Sequence, residues 1–211
     1  VDAQGRERVR EFVILRRDLD GGEQRYYVYF QKPEDVRDMV YMVWKHPGGD
    51  DDRWLYLPAL DLVRRIASTD KRTSFTGSHF VYEDVSGRNV NADEHKLVEE
   101  TDAYYLLDNT PKDASQVEFA RYTVKIDKKT FLPLEAKYYD AAGELQREML
   151  ASDIKDINGY PTAAKMTAKD HQRGGYTELT YTSVEYDIGI EEDVFSERYL
   201  KRAPRKYLRT E

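Results

Sequence analysis

Apolar and polar positions along this chain alternate in short runs with the two-residue period of strands, and few stretches carry the longer period of a helix. Arg6 to Arg16 places Phe12 and Ile14 on one face and Val9, Val13 and Leu15 on the other. The turn DLDGGE at 18 to 23 leads into Gln24 to Gln31, a second strand with apolar or aromatic residues on both faces, and Met39 to Trp44 is a third such run. Strands apolar on both faces need cover on each, as in a sheet with helices or a ligand lying against it.

Trp54 to Leu57 is strand-like and is stopped by Pro58, which donates no ladder hydrogen bond. Ala59 to Ile66 fits either a helical stripe of Leu60, Val63 and Ala67 or a short strand. After the break at Gly77, Ser78 to Val85 alternates like a half-buried strand; if it neighbours Trp54 to Leu57, Arg64 and Arg65 meet Glu83 and Asp84 at one rim. Asn89 to Val98 reads as a loop with a short element, Tyr104 to Leu107 as a strand, and Asp108 to Gln116 as a polar loop.

The second half is more regular. Phe119 to Ile126 sets Ala120, Tyr122, Val124 and Ile126 on one face, and Leu134, Ala136 and Tyr138 repeat the pattern after the DKKTFLP turn. Turns at 141 to 143, NGYP at 158 to 161 and QRGG at 172 to 175 then separate Leu145 to Ile157, Thr162 to Lys169 and Tyr176 to Glu185, an antiparallel meander. Helix content is expected to be low, with a turn or two at Glu191 to Phe195. The fold class expected is mainly β, one antiparallel sheet in a single domain over residues 1–211, with a basic, solvated tail at 200–211.

Composition narrows the function. The 211 residues include 33 basic and 40 acidic side chains, a net charge of −7, so nucleic acid is excluded as the expected partner. With no cysteine the chain has no disulfide, thiolate metal site or Cys nucleophile, and no apolar run reaches the length of a membrane-spanning helix. The 17 tyrosines suit strands whose surfaces are apolar in body and wet at the tip.

Candidate chemistry is sparse. His46, His79, His95 and His171 form no HxH or HxxxH pair, so no metal and no cofactor is expected. Ser78, His79 and Asp84 have the residue types of a hydrolytic triad, but neighbours in one strand do not point at each other. Glu83 and Asp84 face opposite sides of a strand and make a poor carboxylate pair. Arg64 and Arg65 have two readings: a guanidinium that holds an anionic headgroup at a cavity mouth, or a rim ion pair with Glu83 or Asp84.

The blocks FQKPEDVRDMVYMVW, DDRWLYLPALDLVRRI, SFTGSHFVYEDV, LPLEAKYYDAAGELQREM and VFSERYLKR, in this order between about Gly5 and Arg202, resemble the LolA-like outer membrane lipoprotein-sorting proteins of Gram-negative bacteria. The resemblance implies a periplasmic protein whose half-barrel sheet is closed by helices around an apolar cavity for acyl chains. It also implies an inner-membrane partner, often a transporter of the RND or MMPL type. Two departures stand out: His79 occupies a position that is usually acidic, and the helix expected before residue 1 is missing. Residue 1 is Val, as expected for a chain whose signal peptide is removed or not included.

The leading expectation is therefore a non-enzymatic carrier of a lipid or acylated lipoprotein, with a cavity wall of Phe12, Ile14, Tyr26, Val28, Phe30, Met42, Trp44, Tyr56 and Phe80. Arg64, Arg65, Glu83 and Asp84 are expected at its rim. The alternative is an adaptor for an inner-membrane transporter with no ligand of its own, using the sheet edge and the basic tail. A hydrolase built on His79 is the minor third option.

Overall fold

The computed structural model describes residues 1–208; Arg209 to Glu211, the end of the basic tail, lie outside the described residues. The chain divides into two compact units, one of Val1–Glu7, Arg72–Val81 and Arg88–Tyr186, the other of Arg8–Lys71, Tyr82–Gly87 and the residues from Asp187 onward. Each unit holds one antiparallel sheet. The mainly β, antiparallel expectation holds, with the strands shared between sheets of five and seven instead of one, and with two short α-helices among the described residues. No helix among them is long and apolar enough to cross a membrane.

The five-stranded sheet runs in chain order through β1 (Glu11–Asp18), β2 (Gln24–Lys32), β3 (Val40–Lys45), β4 (Asp52–Leu57) and β5 (Leu62–Arg65). Residues 59 to 66, open to two readings in the sequence, divide into a 3-10 turn at Pro58–Leu60 and the edge strand β5. On one face Leu15, Tyr27, Val40, Met42 and Trp54 pack under Ile190, Val194, Phe195, Leu200 and Leu208 of the C-terminal segment. Because that segment has little regular structure of its own, its carbonyls need partners, and the strands supply them. Arg17 donates to Ile190 O, Trp44 Nε1 to Phe195 O at 2.7 Å, the Tyr27 hydroxyl to Tyr199 O at 2.7 Å and Gln31 to Leu208 O at 3.0 Å. The C-terminal stretch is thus a docked strap up to Leu208 and not a solvated tail: its basic side chains Lys201 and Lys206 pair with Asp61 at 2.8 Å and Glu191 at 3.4 Å.

The seven-stranded sheet is the expected meander, and it begins earlier. Its strands are β6 (Asp93–Glu100), β7 (Tyr104–Pro111), β8 (Arg121–Asp127), β9 (Pro133–Tyr139), β10 (Leu145–Ile157), β11 (Tyr160–Asp170) and β12 (Tyr176–Thr180), hydrogen-bonded in sequence order. The supposed loop at 89 to 98 is largely β6, β7 continues through the supposed polar loop to Pro111, and β12 stops at Thr180. In the NGYP turn Asn158 and Gly159 both have positive φ, 55° and 86°, the backbone that joins two right-twisted strands with a two-residue loop.

Residues 78 to 85 correct the sequence reading. Ser78 Oγ donates to Phe75 O at 2.7 Å, Val81 makes a single bridge to Ser74, and Tyr82–Ser86 is a helix, α1; a second, α2, is Arg198–Lys201. Local side-chain bonds of this kind compete with a ladder. The strand beside Trp54 to Leu57 is instead β5, which pairs Trp54 with Arg65 and Leu57 with Leu62.

Candidate functional site

The expected cavity wall does not form one surface. Register places Phe12 opposite Phe30 and Ile14 opposite Val28, with Tyr26 on the same face, and the Phe12 and Phe30 rings lie 5.3 Å apart. Met42, Trp44 and Tyr56 belong to the other face of that sheet and pack under the C-terminal strap. Phe80 belongs to the other unit. With both faces apolar in these strands, nothing in the alternation told one face from the other, and a one-residue slip exchanges them.

The expected rim pairs also divide differently. Arg65 pairs with Asp52 and lies 5.4 Å over the Trp54 ring; Arg64 lies 3.5 Å from Asp70, and Glu83 lies 3.8 Å from Lys71. Asp84 sits in α1. On the strap-bearing face Arg25 over Trp44 at 5.1 Å, Trp44 against Trp54 at 5.0 Å, and Arg65 build a ladder of alternating cations and rings. A depression of about 410 Å³ beside it is lined by Asp50, Asp51, Asp52, Arg53 and Arg65 together with Ile66, Ala67 and Ser68.

The two faces of the seven-stranded sheet differ sharply in chemistry. One is a chain of ion pairs: Lys125 to Glu135 at 3.8 Å, Lys137 to Glu135 at 3.0 Å and to Glu148 at 3.7 Å, Lys169 to Glu148 at 3.3 Å, and Lys165 to Glu178 at 2.6 Å. The other is ordered into rows by the strand register. Leu107, Val124, Ala136, Met149 and Ala168 lie side by side across five strands. One step along, Tyr105 faces Ile126, and Ala151, Met166 and Leu179 stand abreast. Except for Ala168, each of these side chains is only partly buried, a half-exposed aliphatic surface kept low by alanines.

One step in the opposite direction the same face turns polar. Across it run His95, Asn109, Tyr122, Tyr138 and Arg147. The Tyr122 and Tyr138 rings stack at 5.1 Å, and Phe119 closes on them edge-on at 5.5 and 5.0 Å. Three guanidinium groups lie on these rings: Arg72 is 5.1 Å from Phe119 and 5.6 Å from Tyr138, Arg88 is 5.5 Å from Phe119, and Arg147 is 5.5 Å from Tyr138.

Two carboxylates accompany them. Asp93, wholly buried, accepts from Arg88 at 2.8 and 2.7 Å and from the Tyr122 hydroxyl at 2.7 Å, and burial together with that carboxylate pushes the Tyr122 phenol far up. Glu118 accepts from Arg72 Nε at 3.0 Å and from a terminal nitrogen of the same guanidinium at 2.6 Å, while its own side chain is 49% exposed. Loss of water around that carboxyl would raise its pKa, but the hydrogen bonds and charge of Arg72 outweigh this and hold it below the ordinary value. At the far end of the row His95 bonds Asn109 Oδ1 at 2.6 Å and Val90 O at 2.7 Å, and these acceptors raise its pKa.

His79 and Ser78 have structural partners. His79 Nδ1 meets Thr177 Oγ1 at 2.9 Å, its carbonyl accepts from Arg147, and Gly175 is left with no room for a Cβ, which would stand 2.9 Å from His79 Nε2 and 2.6 Å from Val1 O. Among the described residues no cluster of three or more His, Asp or Glu side chains is arranged to hold a metal ion. The arginine row was missed in the sequence because Arg72 and Arg88 stand in segments with no strand period; the available signal was the tyrosine at equivalent points of β8 and β9.

A family model described only as an uncharacterized protein matches residues 22–202. A domain from Vibrio parahaemolyticus described as an outer membrane lipoprotein-sorting protein is 31% identical, with a TM-score of 0.83 over 92% of this chain and 84% of that one. A DUF1329 family protein from Desulfovibrio piger is 30% identical, with a TM-score of 0.83 over 90% and 83%. A LolA superfamily protein from Nitrosomonas europaea, 17% identical over 89% of each chain, has a TM-score of 0.55 and shares the fold. No curated protein matches the sequence.

Proposed function

The chain belongs to the LolA-like outer membrane lipoprotein-sorting protein family, and from that premise we propose that it is a non-catalytic periplasmic carrier of a lipid or the acyl chains of a lipoprotein. The observation that carries this reading is the half-exposed aliphatic face of the seven-stranded sheet, whose rows of Leu107, Val124, Ala136, Met149 and of Ile126, Ala151, Met166, Leu179 run across the strands. Contiguous apolar surface of this kind favours an apolar partner.

Acyl chains laid on this face are held by burial, at about 0.8 kcal/mol per methylene removed from water. Burial of the chains adds no directional bond, so the carrier can take up and surrender them without chemistry. In a titration with a fluorescent fatty acid, the wild-type protein shows saturable binding, and Ala151→Glu, which puts a charge among the aliphatic rows, weakens it at least about tenfold. A wild-type protein with no saturable binding contradicts the carrier reading.

A further inference from the structure

The aliphatic face does not end at a neutral border. Met149, Ala136, Val124 and Leu107 are followed, two residues along their own strands, by Arg147, Tyr138, Tyr122 and Asn109. Residues two apart on a strand stand about 7 Å apart on the same face. The face therefore changes from half-exposed hydrocarbon to buried guanidinium, phenol and amide within the length of a few methylenes, in register over four neighbouring strands. We propose that this border is a headgroup site and that the carried ligand is an anionic amphiphile, with a phosphate or carboxylate head at Arg72 and Arg147 and its chain over the aliphatic rows. The inference rests on the carrier reading and adds to it the charge and direction of the ligand.

The geometry fits an anion for two reasons. The Arg72 guanidinium, only 8% exposed, lies 5.1 Å from the Phe119 ring and 5.6 Å from Tyr138, and Arg147 lies over the same Tyr138 ring, so the two cations are held in place before any ligand arrives. Their carboxylates also differ in kind. Asp93 is enclosed and takes both Arg88 and Tyr122, which makes it part of the framework. Glu118 keeps 49% of its side chain exposed and meets Arg72 at two nitrogens, so an incoming phosphate or carboxylate can exchange for it from the solvent side at the same nitrogens. Glu118 thus serves as the counter-ion that the headgroup displaces.

The test compares fluorescent phosphatidic acid with fluorescent diacylglycerol of the same acyl chains, and inorganic phosphate is titrated separately. Wild-type protein binds the anionic probe about tenfold or more tightly than the neutral one, the scale of one charge-assisted hydrogen bond. Arg72→Gln removes the preference and leaves neutral binding in place. Glu118→Gln, which keeps the shape of the side chain and removes its charge, raises affinity for the anionic probe alone. Equal binding of both probes by wild type, or no gain in Glu118→Gln, overturns the headgroup site while the carrier reading stands. Phosphate bound as tightly as the lipid also overturns it, since the site is then one for small anions. Failure of both probes to bind removes the carrier reading itself.

Discussion

In the five-stranded sheet Tyr27, Tyr41, Met42 and Val43 are wholly withdrawn from solvent, whereas in the seven-stranded sheet Val124, Ala136, Met149 and Met166 keep part of their surface in water. Both sheets are antiparallel and rich in tyrosine, but they use their apolar residues differently. In the first, one face is filled by the strap from 190 to 208, fixed through Trp44, Tyr27, Gln31 and Arg17. In the second, ion pairs occupy one face, and the other grades from aliphatic to cationic. The more apolar sheet is therefore the occupied one. On the carrier reading the binding surface lies where side chains are partly apolar and partly exposed, a property that strand hydrophobicity alone does not report.

The contrast can be broken by substitution. Phe195→Ala, which empties a position of the strap that is 1% exposed, should cost about 3 to 5 kcal/mol in urea unfolding. A change below about 1 kcal/mol would mean that the strap is not part of the first sheet's core. Asp93→Asn leaves Arg88 buried beside a neutral partner and should cost about 3 kcal/mol; a near-neutral result would deny the network its structural part. Met149→Ala, on the half-exposed face, should lower stability by no more than about 1 to 2 kcal/mol and weaken fatty-acid binding.

His95 sharpens the comparison through pH. Both ring nitrogens face acceptors, Asn109 first and Val90 O second, so its folded pKa lies above the ordinary 6.5. The charged form is favoured by folding, and the stabilisation is complete below about pH 6.5 and is lost as pH rises through the raised folded value. Unfolding midpoints should fall modestly over that window, and His95→Asn should flatten the slope; an unchanged slope would refute the assignment. Smallest of all, Lys137→Ala on the ion-pair face should shift stability by less than about 1 kcal/mol, measured by the same unfolding curves.

Much of the second sheet was legible in the sequence. The alternation at Tyr122, Val124 and Ile126 and at Ala136 and Tyr138 names one face correctly, and Asn158 with Gly159 fixes a hairpin. Register was not legible: that Arg147 stands opposite Tyr138 and Met149 opposite Ala136 depends on how β9 and β10 pair, with a register shift between Leu145 and Arg147. The alternation at 78 to 85 misled because Ser78 satisfies local carbonyls and Tyr82–Ser86 closes as a helix. The strap was hidden for a related reason. The basic run after Leu200 reads as solvated, and the acceptor bonds that dock it come from strands more than 150 residues earlier, as in Gln31 to Leu208.

The most direct test of the central claim is photo-crosslinking with a long-chain fatty acid carrying a diazirine on its tail, followed by mass-spectrometric mapping of the adducts. The expected adducts fall on Leu107, Val124, Ile126, Ala136, Met149, Ala151 and Met166. Adducts confined to Phe12, Ile14, Tyr26, Val28 and Phe30 would place the ligand on the five-stranded sheet and contradict the account.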